Sequence, residues 1–285
     1  MQKLIEKANI LAEALPYINK LAGKTVVIKY GGNAMGDENI TKTILEDIAL
    51  LKIVGVNPVL VHGGGPEINT MLKSLNVSPK FHNGYRVTDK NTMEVVQMVL
   101  CGKLNKDITS KLNCMGVKAV GICGKDAKLI EVKKQSSDVD LGFVGEIVNI
   151  NTHLITMLAA DQYIPVIASV GCDATGNSYN INADTAAAEI AAAMKAEKLI
   201  FLTDVDGIRL NENDASSLIP RISVKEIEKL IEDNVITGGM IPKVMACIKS
   251  VKMGINRTHI VSGKVPHPVM LEIFTDTGIG TMITA

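Results

Sequence analysis

The sequence predicts an α/β fold: a mainly parallel sheet with crossover helices on both faces, preceded by an amphipathic helix. Three observations carry this expectation. Short β-branched runs alternate with longer segments of helical period, the pattern of repeated βαβ units. The strand-like runs are almost continuously apolar, as strands covered on both faces are. Ahead of them, Leu4, Ile5, Ala8, Leu11, Ala12, Leu15, Ile18 and Leu21 form one apolar stripe between Lys3 and Leu21.

The leading helix contains Pro16, which lacks a backbone donor and crowds the preceding turn, so a kink is expected there. Such a helix packs either on its own domain or against another subunit. Strands are expected at Thr25 to Tyr30, Asn57 to His62, Val117 to Ile122, Tyr163 to Ser169, Lys198 to Thr203 and Arg257 to Val261, each entering a turn that bears Gly, Asp or Ser. Helical spacing marks Glu38 to Val54, Pro66 to Leu75, Asp89 to Leu112, Thr185 to Met194, Ser223 to Glu232 and Pro242 to Lys252. The stretch Lys128 to Ile150 reads as antiparallel strands. An alanine-rich helix gives way to KLIFLTD near Lys195 to Lys198, which places a lobe boundary there. The chain is thus divided into a helix at 1–23, a first lobe at 24–195 and a second at 196–285.

At 285 residues the chain can bury a large core and form two lobes. Its 30 basic and 30 acidic residues balance, so no electrostatic footprint for nucleic acid or a membrane surface is present and a metabolite is the expected partner. No apolar run reaches the roughly 18 to 20 residues of a membrane span, and the N-terminus is too charged for a signal peptide, which makes the cytoplasm the expected location. The five cysteines are scattered without a C-x-x-C pair and read as reduced thiols. Neither H-E-x-x-H nor a Cys/His cluster occurs, so no protein-ligated metal is expected, while Mg2+ carried by a nucleotide stays open.

Glycine clusters at Gly31-Gly32, Gly63-Gly64-Gly65 and Gly238-Gly239 are read as turns after strands. A strand that turns through glycine into a helix aims free N–H groups and the positive helix end at one spot, which suits phosphate oxygens. A tight turn needing positive φ explains any single cluster equally well. Neither G-x-x-x-x-G-K-[ST] nor G-x-G-x-x-G is present, so lysines from elsewhere must serve the phosphates. Lys29 interrupts an apolar strand beside Gly31, where burial of an unpaired ammonium is costly; an anion at the strand's carboxyl end accounts for it better than snorkelling does. Lys243 follows Pro242 and so falls in a helix's first turn, against the dipole, which makes sense if both face one phosphate. A solvated surface lysine is the simpler account. Asp184 starts a helix, where acids are ordinarily favourable, or stands between the two lysines and fixes both. Arg86, after Gly84, offers a planar fork to a carboxylate or forms a surface ion pair.

Taken together, TVVIKYGGNAM (Thr25 to Met35), VLVHGGGPEIN (Val59 to Asn69), NGYRVTD (Asn83 to Asp89), NINADTAAAEIA (Asn180 to Ala191), LTDVDGI (Leu202 to Ile208) and TGGMIPKV (Thr237 to Val244) resemble the N-acetylglutamate kinases of the amino-acid kinase family. The blocks run in the family's order nearly end to end. The resemblance implies a three-layer αβα sandwich around a mainly parallel open sheet, with a first lobe for the acyl amino acid and a second for ATP. It places the catalytic groups on Lys29, Lys243 and Asp184, and the substrate contacts on Gly64, Gly65, Arg86 and Asn180, with Arg86 on the α-carboxylate. Phosphate and nucleotide contacts fall on Gly31, Gly32, Thr203, Asp204, Asp206, Gly207, Gly238 and Gly239. The leading helix with Tyr17 and the stretch His267 to Thr281 resemble the arginine-inhibited hexameric branch, which implies arginine contacts at Tyr17, Lys198, Glu272 and Gly280.

The implied reaction moves the γ-phosphoryl group of Mg-ATP to the γ-carboxylate of N-acetyl-L-glutamate in arginine biosynthesis. A kinase for a related acylamino acid, such as an aminoadipate derivative, is the near alternative, since one methylene is worth only about 1 to 3 kcal/mol. A non-catalytic arginine-binding scaffold is the distant one, against which the intact lysines speak. A PII-type signalling partner stays open on the sequence.

Overall fold

A computed structural model describes residues 1–211, 214–238 and 240–285, with the side chains of 3, 6–8, 10, 11, 33 and 34 left aside; Ala8 and Leu11 of the apolar stripe and Gly239 of the third glycine cluster thus lie outside the described set. In chain order the elements are α1 (Gln2–Leu21), β1 (Thr25–Tyr30), α2 (Glu38–Ile53), β2 (Asn57–His62), α3 (Gly65–Ser74), β3 (Phe81–His82), β4 (Tyr85–Arg86), α4 (Lys90–Gln97) and α5 (Asn105–Cys114). There follow β5 (Lys118–Cys123), β6 (Ile130–Lys134), β7 (Gly145–Ile150), α6 (His153–Ala160), β8 (Tyr163–Ala168), β9 (Val170–Cys172), β10 (Ser178–Asn180), α7 (Ala183–Ala193) and β11 (Lys198–Thr203). The chain ends with β12 (Arg221–Ser223), α8 (Val224–Glu232), α9 (Met240–Lys252), β13 (Thr258–Ser262), α10 (Pro268–Ile273) and β14 (Thr281–Thr284).

The main sheet has eight strands in the order β12-β14-β13-β11-β1-β2-β8-β5. Six of them, β13 through β5, run parallel, while β14 pairs antiparallel to β13 and carries β12 with it. The parallel strands therefore deliver their carboxyl ends to one edge. β1 and β11 are neighbours whose onward connections run to opposite sides of the sheet, and the crevice outside such a switch point is where open α/β sheets bind ligands. A four-stranded sheet, β10-β9-β6-β7, holds the antiparallel pair expected between Lys128 and Ile150.

The period-2 alternation of each strand divides its apolar residues between two cores. Val27, Val59, Leu199 and Phe201 face a core closed by Ala186, Ala187 and Ile190 of α7, Ile227 of α8 and Val244, Cys247 and Ile248 of α9. Val26, Ile28, Leu60, Ile200 and Leu202 face another, closed by Ile44, Leu45 and Ile48 of α2, Ile108 and Leu112 of α5 and Val269 and Ile273 of α10. The result is the three-layer sandwich. Both cores take residues from either side of the boundary expected near Lys195 to Lys198.

The segment expected as one helix over Asp89 to Leu112 is interrupted by a π-helical turn at Met98–Leu104. α1 runs unbroken from Gln2 to Leu21 across Pro16. Among the described residues of its apolar stripe only Leu21 is buried; Leu4, Ile5 and Leu15 are 65%, 45% and 54% exposed. Two local expectations need correction. Gly238 follows the turn after α8 rather than a strand, because α8 ends at Glu232 and the chain turns through Asp233 and Asn234, the latter at φ +57. Pro242 is the third helical residue and not the first, a position that still has no intrahelical bond for its missing donor to break.

Candidate active site

Lys29 leaves β1 on the face covered by α7, and the first turn of α7 carries Asp184. The two meet as an ion pair at 2.9 Å, with the lysine side chain only 13% exposed. The pair lies off hydrogen-bond angle, and Asp184 Oδ1, buried, accepts no hydrogen bond among the described residues. Asn182 caps α7, its side chain accepting from the N–H groups of Asp184 and Thr185. Helix start and strand end thus converge as the sequence suggested.

The expectation that Asp184 would hold both lysines is not met. Lys243 donates instead to Asp204 at 2.7 Å, since the carboxyl end of β11 presents that carboxylate to the first turns of α9. Lysine and aspartate are 26% and 38% exposed, so this pair is worth at most about 1 kcal/mol. Asp204 has its carboxyl pKa lowered by this lysine.

A cavity of about 210 Å³ opens at the carboxyl ends of β1, β2 and β8, with Lys29, Gly32, Gly64, Gly65, Arg86, Asn180 and Asp184 in its wall. Gly31 permits the close approach of two turns, since a Cβ there would stand 3.1 Å from the Gly63 nitrogen. A Cβ on Gly64 would stand 2.2 Å from Leu104 Cδ1 and 2.8 Å from Leu100 Cδ2, so any other residue there requires both leucine side chains to shift. Gly65 opens α3, whose first N–H groups have no helical acceptor, so the turn and the helix end together form an anion seat.

Arg86 is buried beneath Phe81, its guanidinium 4.8 Å from the ring centroid. One nitrogen, Nη2, donates to the Gly65 carbonyl at 3.2 Å. The other, Nη1, is buried and has no partner among the described residues. Burial lowers the guanidinium pKa, which marks a charge short of its counter-ion. A ligand carboxylate supplies what is missing. Asn180 stands across the cavity and donates to Thr88 Oγ1 at 3.3 Å, and Ser169 and Asn182, not singled out from the sequence, add polar atoms to the wall.

On the other side of β1, Thr203 ends β11 and Asp206 pairs with Arg209 at 2.5 Å. Gly207 has a packing reason of its own, because a Cβ would meet Thr281 Oγ1 at 2.5 Å. Gly238 has φ +54 with open space around it. None of Thr203, Asp204, Asp206, Gly207, Gly238 and Lys243 lines the first cavity.

A second cavity, of about 170 Å³, brings together Tyr17, Lys198 and Glu272 with Lys20, Arg257 and Asp276. Tyr17 donates its hydroxyl to Asp276. Glu272 lies at its floor and is held by His259 at 2.6 Å and by the N–H groups of Ile279 and Gly280 at 2.8 and 3.0 Å. Burial pushes its pKa up, and these donors outweigh burial and bring it below the ordinary value. Burial brings the Lys198 ammonium down to about 8. Gly280 reaches the cavity only through Glu272.

Open αβα architecture, an anion seat at the switch point and a buried arginine awaiting a carboxylate define a class of small-molecule phosphotransferase. Residues 24–262 match the amino acid kinase family. Among solved structures, N-acetylglutamate synthase from Neisseria gonorrhoeae complexed with coenzyme A and N-acetyl-glutamate superposes with a TM-score of 0.86 at 24% identity, covering 98% of this chain and 63% of that longer one. The protein smu.665 from Streptococcus mutans UA159 gives 0.76 at 31% identity, over 92% and 98% of the two chains. Acetylglutamate kinase of Caldicellulosiruptor saccharolyticus is 60% identical over 99% of this chain and 98% of its own, and that of Nostoc punctiforme 52% identical over 97% and 93%. The chain belongs to the amino acid kinase family, among the acetylglutamate kinases.

Proposed function

We infer that this enzyme transfers the γ-phosphoryl group of ATP to the γ-carboxylate of N-acetyl-L-glutamate, giving N-acetyl-γ-glutamyl phosphate and ADP. The observation that carries the reading is the unpaired, buried Nη1 of Arg86 across a small cavity from Lys29 and the Gly64-Gly65 turn. Arg86 takes the α-carboxylate and leaves the γ-carboxylate facing the glycine turn and Lys29. A carboxylate is already nucleophilic, so one oxygen attacks phosphorus without a general base while the bond to the ADP oxygen breaks. Catalysis then rests on alignment and on neutralising the charge of the equatorial oxygens.

Lys29, steadied by Asp184, supplies one cation. Lys243 supplies the other after exchanging the half-exposed Asp204 for phosphate, an exchange that gives up at most about 1 kcal/mol of ion pairing. Thr203, Asp204, Asp206, Gly207 and the 238–243 turn seat the nucleotide, and Mg2+ enters with it as Mg-ATP. No group of three or more His, Cys, Asp or Glu side chains suited to a metal occurs among the described residues. The second cavity pairs acidic Glu272 and Asp276 with basic Lys198, Lys20 and Arg257, a layout that suits the guanidinium and carboxylate of arginine. The exposed stripe of α1 suits a helix exchanged between dimers in a hexamer. Among the described residues no helix is long and apolar enough to cross a membrane, and the cytoplasm is the proposed site of action.

Hydroxylamine trapping tests the activity. With Mg-ATP and N-acetyl-L-glutamate the enzyme is expected to yield a hydroxamate, and faster than with the aminoadipate homologue. No hydroxamate above the enzyme-free control overturns the reading.

A further inference from the structure

The Gly63-Gly64-Gly65 turn owes part of its shape to a buried ring that lies outside the cavity. His62 ends β2 and is completely buried. Its Nδ1 stands 3.0 Å from the Gly63 carbonyl oxygen, and its Nε2 stands 3.1 Å from Asn105 Nδ2. Asn105 decides which ring nitrogen bears the proton. The same amide nitrogen faces the carbonyl oxygens of Val166 at 2.9 Å and Ile122 at 3.3 Å, which only accept. Lys106 Nζ, which only donates, lies 3.1 Å from Asn105 Oδ1. The amide therefore fits one way round, with nitrogen toward His62. The Gly63 carbonyl oxygen only accepts and Asn105 Nδ2 only donates, so the proton of the neutral ring sits on Nδ1 and is donated to Gly63, with Nε2 one of three acceptors around the two hydrogens of Nδ2. Burial, the largest influence, brings the imidazole pKa down to about 4, and the ring stays neutral near pH 7. Gly121 leaves the room this needs, since a Cβ there would stand 2.0 Å from Asn105 Oδ1.

The peptide that His62 holds is the one that borders the first cavity. Gly63 N–H donates to the Tyr30 carbonyl at 3.2 Å, and its carbonyl is turned inward to the ring, so Gly63 is fixed at both ends. Across a trans peptide the carbonyl and the following N–H point in opposite directions. Gly64 N–H is therefore turned away from His62, at a residue that lines the cavity beside Lys29. Among the described residues it donates to no protein acceptor.

We propose that His62 is a positioning residue for phosphoryl transfer: its Nδ1–H sets the Gly63–Gly64 peptide so that the Gly64 N–H meets the anionic oxygens of the reacting groups, with Asn105 fixing the ring's tautomer. This rests on the kinase reading above. His62 touches neither substrate nor phosphate and acts only through the peptide.

Asparagine and glutamine separate the two ring nitrogens. His62→Asn carries an amide nitrogen near the place of Nδ1, whereas His62→Gln carries it near Nε2. The Gln variant is expected to lose about 10-fold or more in kcat, short of the full loss of an oxyanion donor, with KM for both substrates changed less than about 3-fold. The Asn variant is expected to recover most of that loss, although both replace the same ring. Long-range 1H–15N correlation on histidine-labelled enzyme should show one ring protonated on Nδ1 that does not titrate between pH 5 and 8 and whose signals vanish in either variant. Equal kcat in wild type and His62→Gln, an Asn variant as slow as Gln, or an Nε2-protonated ring would each overturn the proposal. A wild type that makes no hydroxamate overturns the kinase reading instead, a result distinguishable from equal turnover of wild type and variant.

Discussion

At the scale of single residues, the chemistry depends on which buried charges have partners. Arg86 has one nitrogen spent on Gly65 and one unpaired, so its value lies in a planar fork that lysine cannot reproduce. Arg86→Lys is expected to raise KM for N-acetyl-L-glutamate at least about 10-fold, the cost of one charge-assisted bond, with KM for ATP unaltered. Steady-state kinetics with each substrate varied in turn checks this; parallel rises in both constants would place Arg86 elsewhere. Lys29→Ala should lower kcat roughly 100-fold, on the scale of a lost electrostatic stabiliser. His62 adds a dependence on acid. Its folded pKa of about 4 lies below the ordinary 6.5, so the unfolded chain binds its proton first as pH falls. The neutral ring's contribution is present in full above pH 6.5 and is lost as pH falls through about 4, a range of roughly 3 kcal/mol. Thermal denaturation between pH 7 and pH 4.5 should therefore show a steeper loss for wild type than for His62→Asn, and equal slopes would place the ring's titration elsewhere.

At the scale of elements, α1 is a helix whose apolar stripe finds little of its own chain to cover it. Leu21 docks in the core and Tyr17 binds Asp276, while Leu4, Ile5 and Leu15 stay exposed. If the proposed oligomer and arginine site are right, removal of residues 1–21 lowers the mass seen by light scattering and abolishes inhibition by millimolar arginine, with kcat kept within about 3-fold because no described residue of α1 lines the first cavity. A truncated enzyme of unchanged mass would assign oligomerisation to another surface. The elements also show what a sequence can convey. Thr25–Tyr30, Asn57–His62 and Lys198–Thr203 were legible to the residue because largely apolar runs of six residues between turn signals are short for a helix and suit a buried strand. The π-helical turn at Met98–Leu104 was not, since a shift of one hydrogen bond leaves the apolar spacing nearly intact. β12, β14 and α10 are too short, at three, four and six residues, for a period to stand out. Lys29 and Asp184 were legible as a pair because strand end and helix start follow from local signals. The choice of Asp204 over Asp184 by Lys243 is made by how α9 lies against β11, and the role of His62 by three strands meeting around Asn105; neither leaves a trace in local spacing.

At the scale of the molecule, the two lobes share one sheet and both of its cores. β11, the first strand after the boundary near Lys195 to Lys198, pairs with β1 along Val26 to Lys29, so the sheet passes through the boundary without an edge. Each core is defined by a face of that sheet: Val27 and Val59 share one with Phe201 and Ile248, while Ile28 and Leu60 share the other with Leu202 and Ile273. A cut at the boundary would bare one edge of β1 and one edge of β11, together with half of both cores, a large exposure of apolar surface at about 25 cal/mol per Å². Calorimetry is therefore expected to show one unfolding transition per subunit and not a weaker lobe melting before a stronger one. Residues 196–285 expressed alone should lack protected amides in hydrogen exchange. Two resolved transitions, or a protected fragment, would make the lobes separate domains. If the lobes close on substrate, the motion must bend this shared sheet or shift the turns at its carboxyl edge, and Lys243 with its loosely held Asp204 is placed where the smaller of those movements suffices.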